Sequence, residues 1–549
     1  MLIPIAEAEL KERRGDDAMR SATDARALAG ELGDAALEAS ALLVLVDVFV
    51  EDSNAQRALE SAELALDLYR KAGDVKGQAQ ALLKHTDAHL LDGALKDALQ
   101  AAKQAQSLIR ERGDRKKEGA SLLKVSRVYM ALDSPTEAMR SMRHAMEIFK
   151  EVGFLKGVAT VVSALVEAYI ANGEAAKAVE AAREEVAYLR DAGDGRSQVM
   201  GFEALIEALL ATNASDEAAE VAQEALLLAR ELGERRAEAR ILLNTSLAHQ
   251  KAKDHKKGRE GLEQAQALFQ ELRGVSGEAA CLMGLAQLEL AEGDFAAALE
   301  NANEAHALFL KVNEKRRAAN ALSTVAWAHR SSGRFDEAAA AALSAKALLQ
   351  DLGDQSGEAD AWLTVADVRL ESQEHDKALV AARQARTVAQ RLQGRARRRL
   401  MSDALRFMAS VHIGRQEVDE AVSILKEGEA LSKKDGTYAE QAQMKLLSTQ
   451  IYRDRLYAKV EQPAEEGKAQ GGKSLKWLYE VTLRKAQGAV KLARNAEDNH
   501  ILGSALLTLG QIYYFDHRVQ DTMLAADEAL TVFQELGDRS AEVAVLALI

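Results

Sequence analysis

Three groups of residues could carry chemistry, and each needs a particular setting. Gly467, Lys468, Ala469, Gln470, Gly471, Gly472, Lys473 and Ser474 satisfy the pattern G-x-x-x-x-G-K-S. In that pattern backbone N–H groups cradle phosphates, the lysine reaches them and the hydroxyl holds magnesium. The chemistry also needs a buried strand feeding the glycines and an acidic residue on a neighbouring strand. Upstream stand Glu461, Gln462, Pro463, Ala464, Glu465 and Glu466, which cannot form that strand. The match at Gly467, Gly472, Lys473 and Ser474 is read as chance within a Gly/Lys-rich insertion, and no cofactor is expected. The enzymatic alternative, nucleotide binding at the insertion, rests on this match alone and predicts ATP binding that is lost in Lys473→Ala.

His85 and His89 stand four apart with Asp87 between them, which puts the two imidazoles on one helical face. Zinc needs a third and usually a fourth ligand, and a hydrolase of this type needs Glu after the first His. Neither is present, so the pair is read as packing and no metal is expected. Cys281 is the single cysteine, which excludes an intrachain disulfide framework, and it falls within a helical apolar pattern. No Ser/His/Asp or Cys/His constellation clusters as nucleophilic catalysis would require. An enzyme is not expected.

The elements that would position any of these residues are set by a glycine ladder. Gly33, Gly73, Gly113, Gly153, Gly193 and Gly233 stand 40 residues apart, the spacing resumes at Gly353, and Asn313 replaces Gly in one unit. Between rungs lie two apolar-periodic stretches separated by a short polar break, so each unit reads as a helical hairpin. The 40-residue frame aligns a column of small residues: Ala58, Ala98, Ala138, Ala178, Ala218, Gly258, Ala298, Ala338 and Ala378. A second column follows seven residues later, from Ala65, Ala105 and Ala145 to Ala225, Ala265, Ala305, Ala345 and Ala385. Small residues at these spacings let a neighbouring helix approach closely.

Composition agrees with that reading. Hydrophobic residues make up 48% of the chain but aromatics only 4%, with 3 prolines in 549 residues, which fits Ala/Leu-packed helices and no strands. A fixed period predicts one elongated array in place of several globular domains. Apolar stretches are short and interrupted by charge, and residues 1–20 lack the apolar core of a signal peptide. The expected compartment is the cytoplasm, with no membrane insertion. A formal charge of −14 argues against nucleic acid, which needs a basic face.

Within one unit, Leu322, Val325, Ala326 and His329 are followed by Gly333, Phe335 and Ala338, then Ala342 and Ala345. Other units give Leu122, Val125, Ser126, Tyr129; Val162, Leu165, Val166, Tyr169; and Leu506, Leu509, Gly510, Tyr513. This order of residue sizes resembles the tetratricopeptide repeat. The 40-residue period departs from the commoner 34 and is similar to the long-repeat branch that includes kinesin light chain and the Leu-Gly-Asn-type adaptors. The resemblance implies an all-α superhelix of about twelve hairpins, with the extra residues in the second helix of each unit.

The expected organisation is a half repeat at 1–34, nine regular repeats over 35–394, an irregular repeat at 395–436, a repeat at 437–498 with an insertion at about 457–473, and a last repeat with an incomplete helix at 499–549. The incomplete final helix suggests a longer array or a larger assembly. Arg395, Arg397, Arg398 and Arg399 form a basic cluster at a predicted helix start, where the macrodipole disfavours positive charge. They are a candidate dock for an acidic partner or a phosphate, set against a solvated turn like those at Lys116–Lys117 and Arg235–Arg236.

The resemblance further implies that the first helix of each unit lines a groove. Five residues after its first apolar site come Asp47, Asp87, Arg127, Glu167, Glu207, Leu247, Gln287, Trp327 and Asp367. The mostly acidic first half suits a basic or amphipathic segment of a partner protein or peptide, and Trp327 is a candidate anchor. Leu43, Leu83 and Leu123 stand where the chaperone-binding members carry a clamp lysine, which disfavours that role. The leading expectation is a noncatalytic scaffold; the alternative is a sensor array whose superhelix responds to a bound peptide or small ligand.

Overall fold

The computed structural model describes residues 2–11, 14–461 and 475–549. Among these there are 27 helices and no strand. Twelve hairpins run from Ala35 to Leu536, each made of a first (A) and a second (B) helix. Before them the segment 1–34, expected to supply half a unit, holds two helices, Leu2–Lys11 and Gly15–Leu32.

The extra length is not confined to the B helix. In most of the regular hairpins A and B are equal, as in Arg115–Ala131 and Pro135–Glu151, 17 residues each, so the backbone period is 20 and the sequence period is twice that. Both kinds of turn use the left-handed conformation that ends a helix by returning N–H groups to its last carbonyls. After a B helix the residue is usually glycine, as at Gly153 (φ 65°), whereas after an A helix it is often not, as at Asp133 (φ 55°) and Lys253 (φ 61°). The residue after the glycine then caps the next helix: the Asp34 carboxylate accepts from the N–H groups of Ala36 and Leu37 at 3.1 and 3.0 Å. Where Glu stands at that place, as at Glu174 and Glu234, no side-chain cap forms.

The first alanine column is buried throughout from Ala58 to Ala378. The second is buried likewise, with one substitution, Glu185, which is 6% exposed. Contacts divide the chain into two units, Met1–Thr324 and Val325–Ile549. In the first, each A helix packs on the next along the series from Ala35–Glu51 to Val275–Glu292, whereas no comparable packing joins successive B helices. The A helices therefore form the inner layer and the B helices splay outward. The largest core of this unit spans Leu122 to Ala248 and contains Phe149, Leu189, Phe202 and Ile206. The Asn313 amide also donates to the carbonyl of Glu51 at 2.9 Å, bringing the turn after the seventh hairpin against the end of the first A helix. In the second unit A helices again pack on one another, from Gln355–Glu371 through Gly394–Gly414 and Tyr438–Glu461 to Asn499–Phe515.

Candidate binding groove

The column that begins at Asp47 runs along the A helices, which pack on one another in the first unit from Ala35–Glu51 to Val275–Glu292. Arg127, Glu167, Glu207 and Gln287 are exposed; Asp47, Asp87 and Leu247 are half-buried. In the second unit Trp327 is exposed and Asp367 half-buried.

The acidic members are not equivalent. Lys84, from the next A helix, donates to Asp47 at 2.5 Å, and Lys124 donates to both oxygens of Asp87 at 2.6 and 2.9 Å. Burial pushes the Asp47 carboxyl up and Lys84 pulls it back. Each of these bonds joins residues 37 positions apart, one repeat on and one helical turn back. The corresponding positions for Glu167 and Glu207 hold Ala204 and Asn244, which cannot supply a cation. Although the residue is exposed overall, partial desolvation of its carboxyl, then the neighbouring Glu167 charge, raises the Glu207 pKa above its ordinary value of 4.5. Between them Glu203, one turn earlier, is taken by Arg240 through two bonds at 3.0 and 3.1 Å. The stripe thus carries two neutralised carboxylates, Arg127, then two uncompensated carboxylates on adjacent helices, packed over the largest core of the unit.

In the second unit Asp367 accepts from Arg330, which also reaches Glu371 at 2.7 Å. Trp327 presents its indole with 49% of the residue exposed. The basic cluster is divided: Arg399 forms a fork with Asp360 at 3.0 and 2.8 Å and lies 3.7 Å from Asp403, so it ties two A helices together. Arg397 is exposed, Arg398 half-buried, and Arg395 is engaged.

The other candidates lie elsewhere. His85 and His89 stack with ring centroids 4.3 Å apart, and burial followed by His89 lowers the His85 pKa. Among the described residues no group of three or more His, Cys, Asp or Glu side chains could hold a metal. Burial pushes the Cys281 thiol up to about 12, which leaves it protonated and unreactive. Gly467, Gly472, Lys473 and Ser474 lie outside the described residues. Of the segment 457–473, residues 457–461 belong to the helix Tyr438–Glu461, where the Tyr457 hydroxyl donates to the Gln511 carbonyl at 2.9 Å. No described helix is long and apolar enough to cross a membrane.

The pairing that neutralises Asp47 and Asp87 is not evident from the acidic column by itself. The signal was a lysine three residues before the acidic position of the following unit, at Lys84 and Lys124 but not at Ala204 or Asn244.

No family model and no curated protein matches the chain. Solved structures of similar helical build include yeast Tom70, at 14% identity over 93% of this chain and 95% of that one, with a TM-score of 0.42. A Rap protein complexed with competence and sporulation factor matches at 14% identity over 64% and 98%, with a TM-score of 0.39. The nearly identical tetratricopeptide-like repeats of a Podospora anserina kinesin light chain match at 18% identity over 35% and 95%, with a TM-score of 0.30.

Proposed function

From this solenoid of tetratricopeptide-like hairpins, we propose a noncatalytic scaffold that holds a basic or amphipathic peptide segment on the inner A-helix stripe. The observation that carries the reading is the pair Glu167 and Glu207: exposed, adjacent, mutually repelling, and without the cation that Asp47 and Asp87 receive from the next helix. A lysine or arginine of a partner laid across the two helices would relieve that repulsion, and the apolar face of the same segment would cover neighbouring side chains. Trp327 offers an aromatic contact on the second unit's own stripe.

A fluorescence-anisotropy titration with a labelled amphipathic peptide carrying lysines at helical spacing tests the reading. Wild type binds saturably, and joint reversal of Asp47, Asp87, Glu167 and Glu207 to Lys abolishes binding while circular dichroism stays unchanged. Undiminished binding by the reversed protein would rule the groove out.

A further inference from the structure

The outer layer carries a second site that the groove does not use. Between the B helices Pro135–Glu151 and Ala175–Asp191 lies an open cleft of about 740 Å³. Arg140, Arg143 and His144 project into it from one helix and Lys177 from the other, with Tyr169 of the intervening A helix at its base. Some successive B helices are joined at this level by an ion pair, whereas these two are joined further along, by Lys150 and Glu185 at 2.8 Å. In the next cleft Arg183 donates to Glu217 and Arg190 to Glu224, and in the second unit Arg494 bonds Glu528 at 2.6 Å. The positions one repeat before Arg183 and Glu217 are Arg143 and Lys177. Two cations therefore face each other where the next cleft has a cation and a carboxylate.

The local partners do not remove the excess. Arg143 donates to the Tyr169 hydroxyl, a neutral acceptor. Arg140 makes no ion pair among the described residues, and it is exposed. Among the described residues Lys177 pairs with Glu174, the N-cap of its own helix, at 2.8 Å. That contact is solvent-exposed and weak. Glu147, one turn beyond Arg143, lines the same cleft with Glu174, so two carboxylates stand against the three cations Arg140, Arg143 and Lys177, and Glu185 further along is held by Lys150 at 2.8 Å. The first turn of the helix Ala175–Asp191 has no side-chain cap on its N–H groups, which adds partial positive charge at the same end.

We propose that Arg140, Arg143 and Lys177, with the Tyr169 hydroxyl, bind a phosphate monoester dianion carried by a partner peptide. Two guanidinium groups at i and i+3 suit the paired oxygens of a phosphate better than a single carboxylate. The cleft is larger than one such group, so it admits the side chain that bears it.

Isothermal titration calorimetry at low salt, on the full chain, decides the matter with three probes: a short glycine-flanked phosphoserine peptide, the same peptide with Asp at that place, and inorganic phosphate. The phosphoserine peptide is expected to bind saturably and at least tenfold more tightly than the Asp peptide. Binding of inorganic phosphate as well supports the site and adds free phosphate as a source; a response to the peptide alone assigns the site to protein-borne phosphate. Lys177→Glu restores the ion pair seen in the next cleft, so it should weaken binding at least tenfold without lowering Tm, whereas Lys177→Arg should retain it. Absence of saturable phosphopeptide binding, equal binding of the Asp peptide, or unchanged affinity in Lys177→Glu would each overturn the proposal.

Discussion

Asp47 and Asp87 differ from Glu167 and Glu207 less in their own chemistry than in what the next A helix offers them. All four stand in one column of A-helix positions in one unit, yet the first two meet Lys84 and Lys124, whereas Ala204 and Asn244 occupy the equivalent positions for the second two. A solenoid repeats its packing positions because every hairpin must stack on the next, but nothing in the stacking fixes the charge of a surface pair. Paired stretches are then part of the scaffold, and an unpaired stretch is free to act on something else. The outer layer follows the same logic with the sign reversed, where Arg143 and Lys177 replace the Arg183–Glu217 pair of the adjoining cleft.

The comparison can be broken by moving the compensation. Asn244→Lys supplies Glu207 with the cation that Lys84 gives Asp47, and it should weaken binding of the lysine-bearing peptide about tenfold, or about 1.4 kcal/mol, with Tm unchanged in a thermal melt. The reverse experiment, Lys84→Met, leaves the half-buried Asp47 carboxylate without its partner. It should cost about 1 kcal/mol in a urea titration, the pair being partly solvated, and it should create weak peptide affinity at the first repeats.

A smaller effect is expected from pH. Because the folded pKa of Glu207 is raised, the folded state holds this proton more tightly than the unfolded chain does. Its contribution to stability is complete below pH 4.5 and is lost as pH rises through the folded pKa. Glu207→Gln should therefore flatten the loss of stability just above pH 4.5, as read from denaturant midpoints across that range. Peptide binding should weaken as pH falls through the same window, since a protonated carboxyl no longer attracts lysine.

Much of the fold is legible in the sequence for a physical reason. Close helix approach demands small residues, and left-handed turns favour glycine, so both recur visibly at Ala58 to Ala378 and Gly33 to Gly233. The 20-residue backbone period is hidden because Asp133, Asn213 and Lys253 take the left-handed conformation after A helices, where the sequence shows no common residue. Continuation of the helix to Glu461 is equally silent, resting on contacts such as Tyr457 to Gln511 between segments far apart in sequence. The acidic stripe is legible as a column; its division into paired and unpaired halves becomes so only when the stacking places position 84 beside position 47.

The central claim is that uncompensated charge locates the binding stretch. Anisotropy titrations of the same amphipathic peptide against Glu167→Gln/Glu207→Gln and against Asp47→Asn/Asp87→Asn test it most directly, because both variants remove two carboxylates from one stripe. The account predicts at least a tenfold loss of affinity in the first variant and less than about twofold in the second, from the free energy of a charge-assisted contact. Equal losses in the two, or a larger loss in the second, would contradict it.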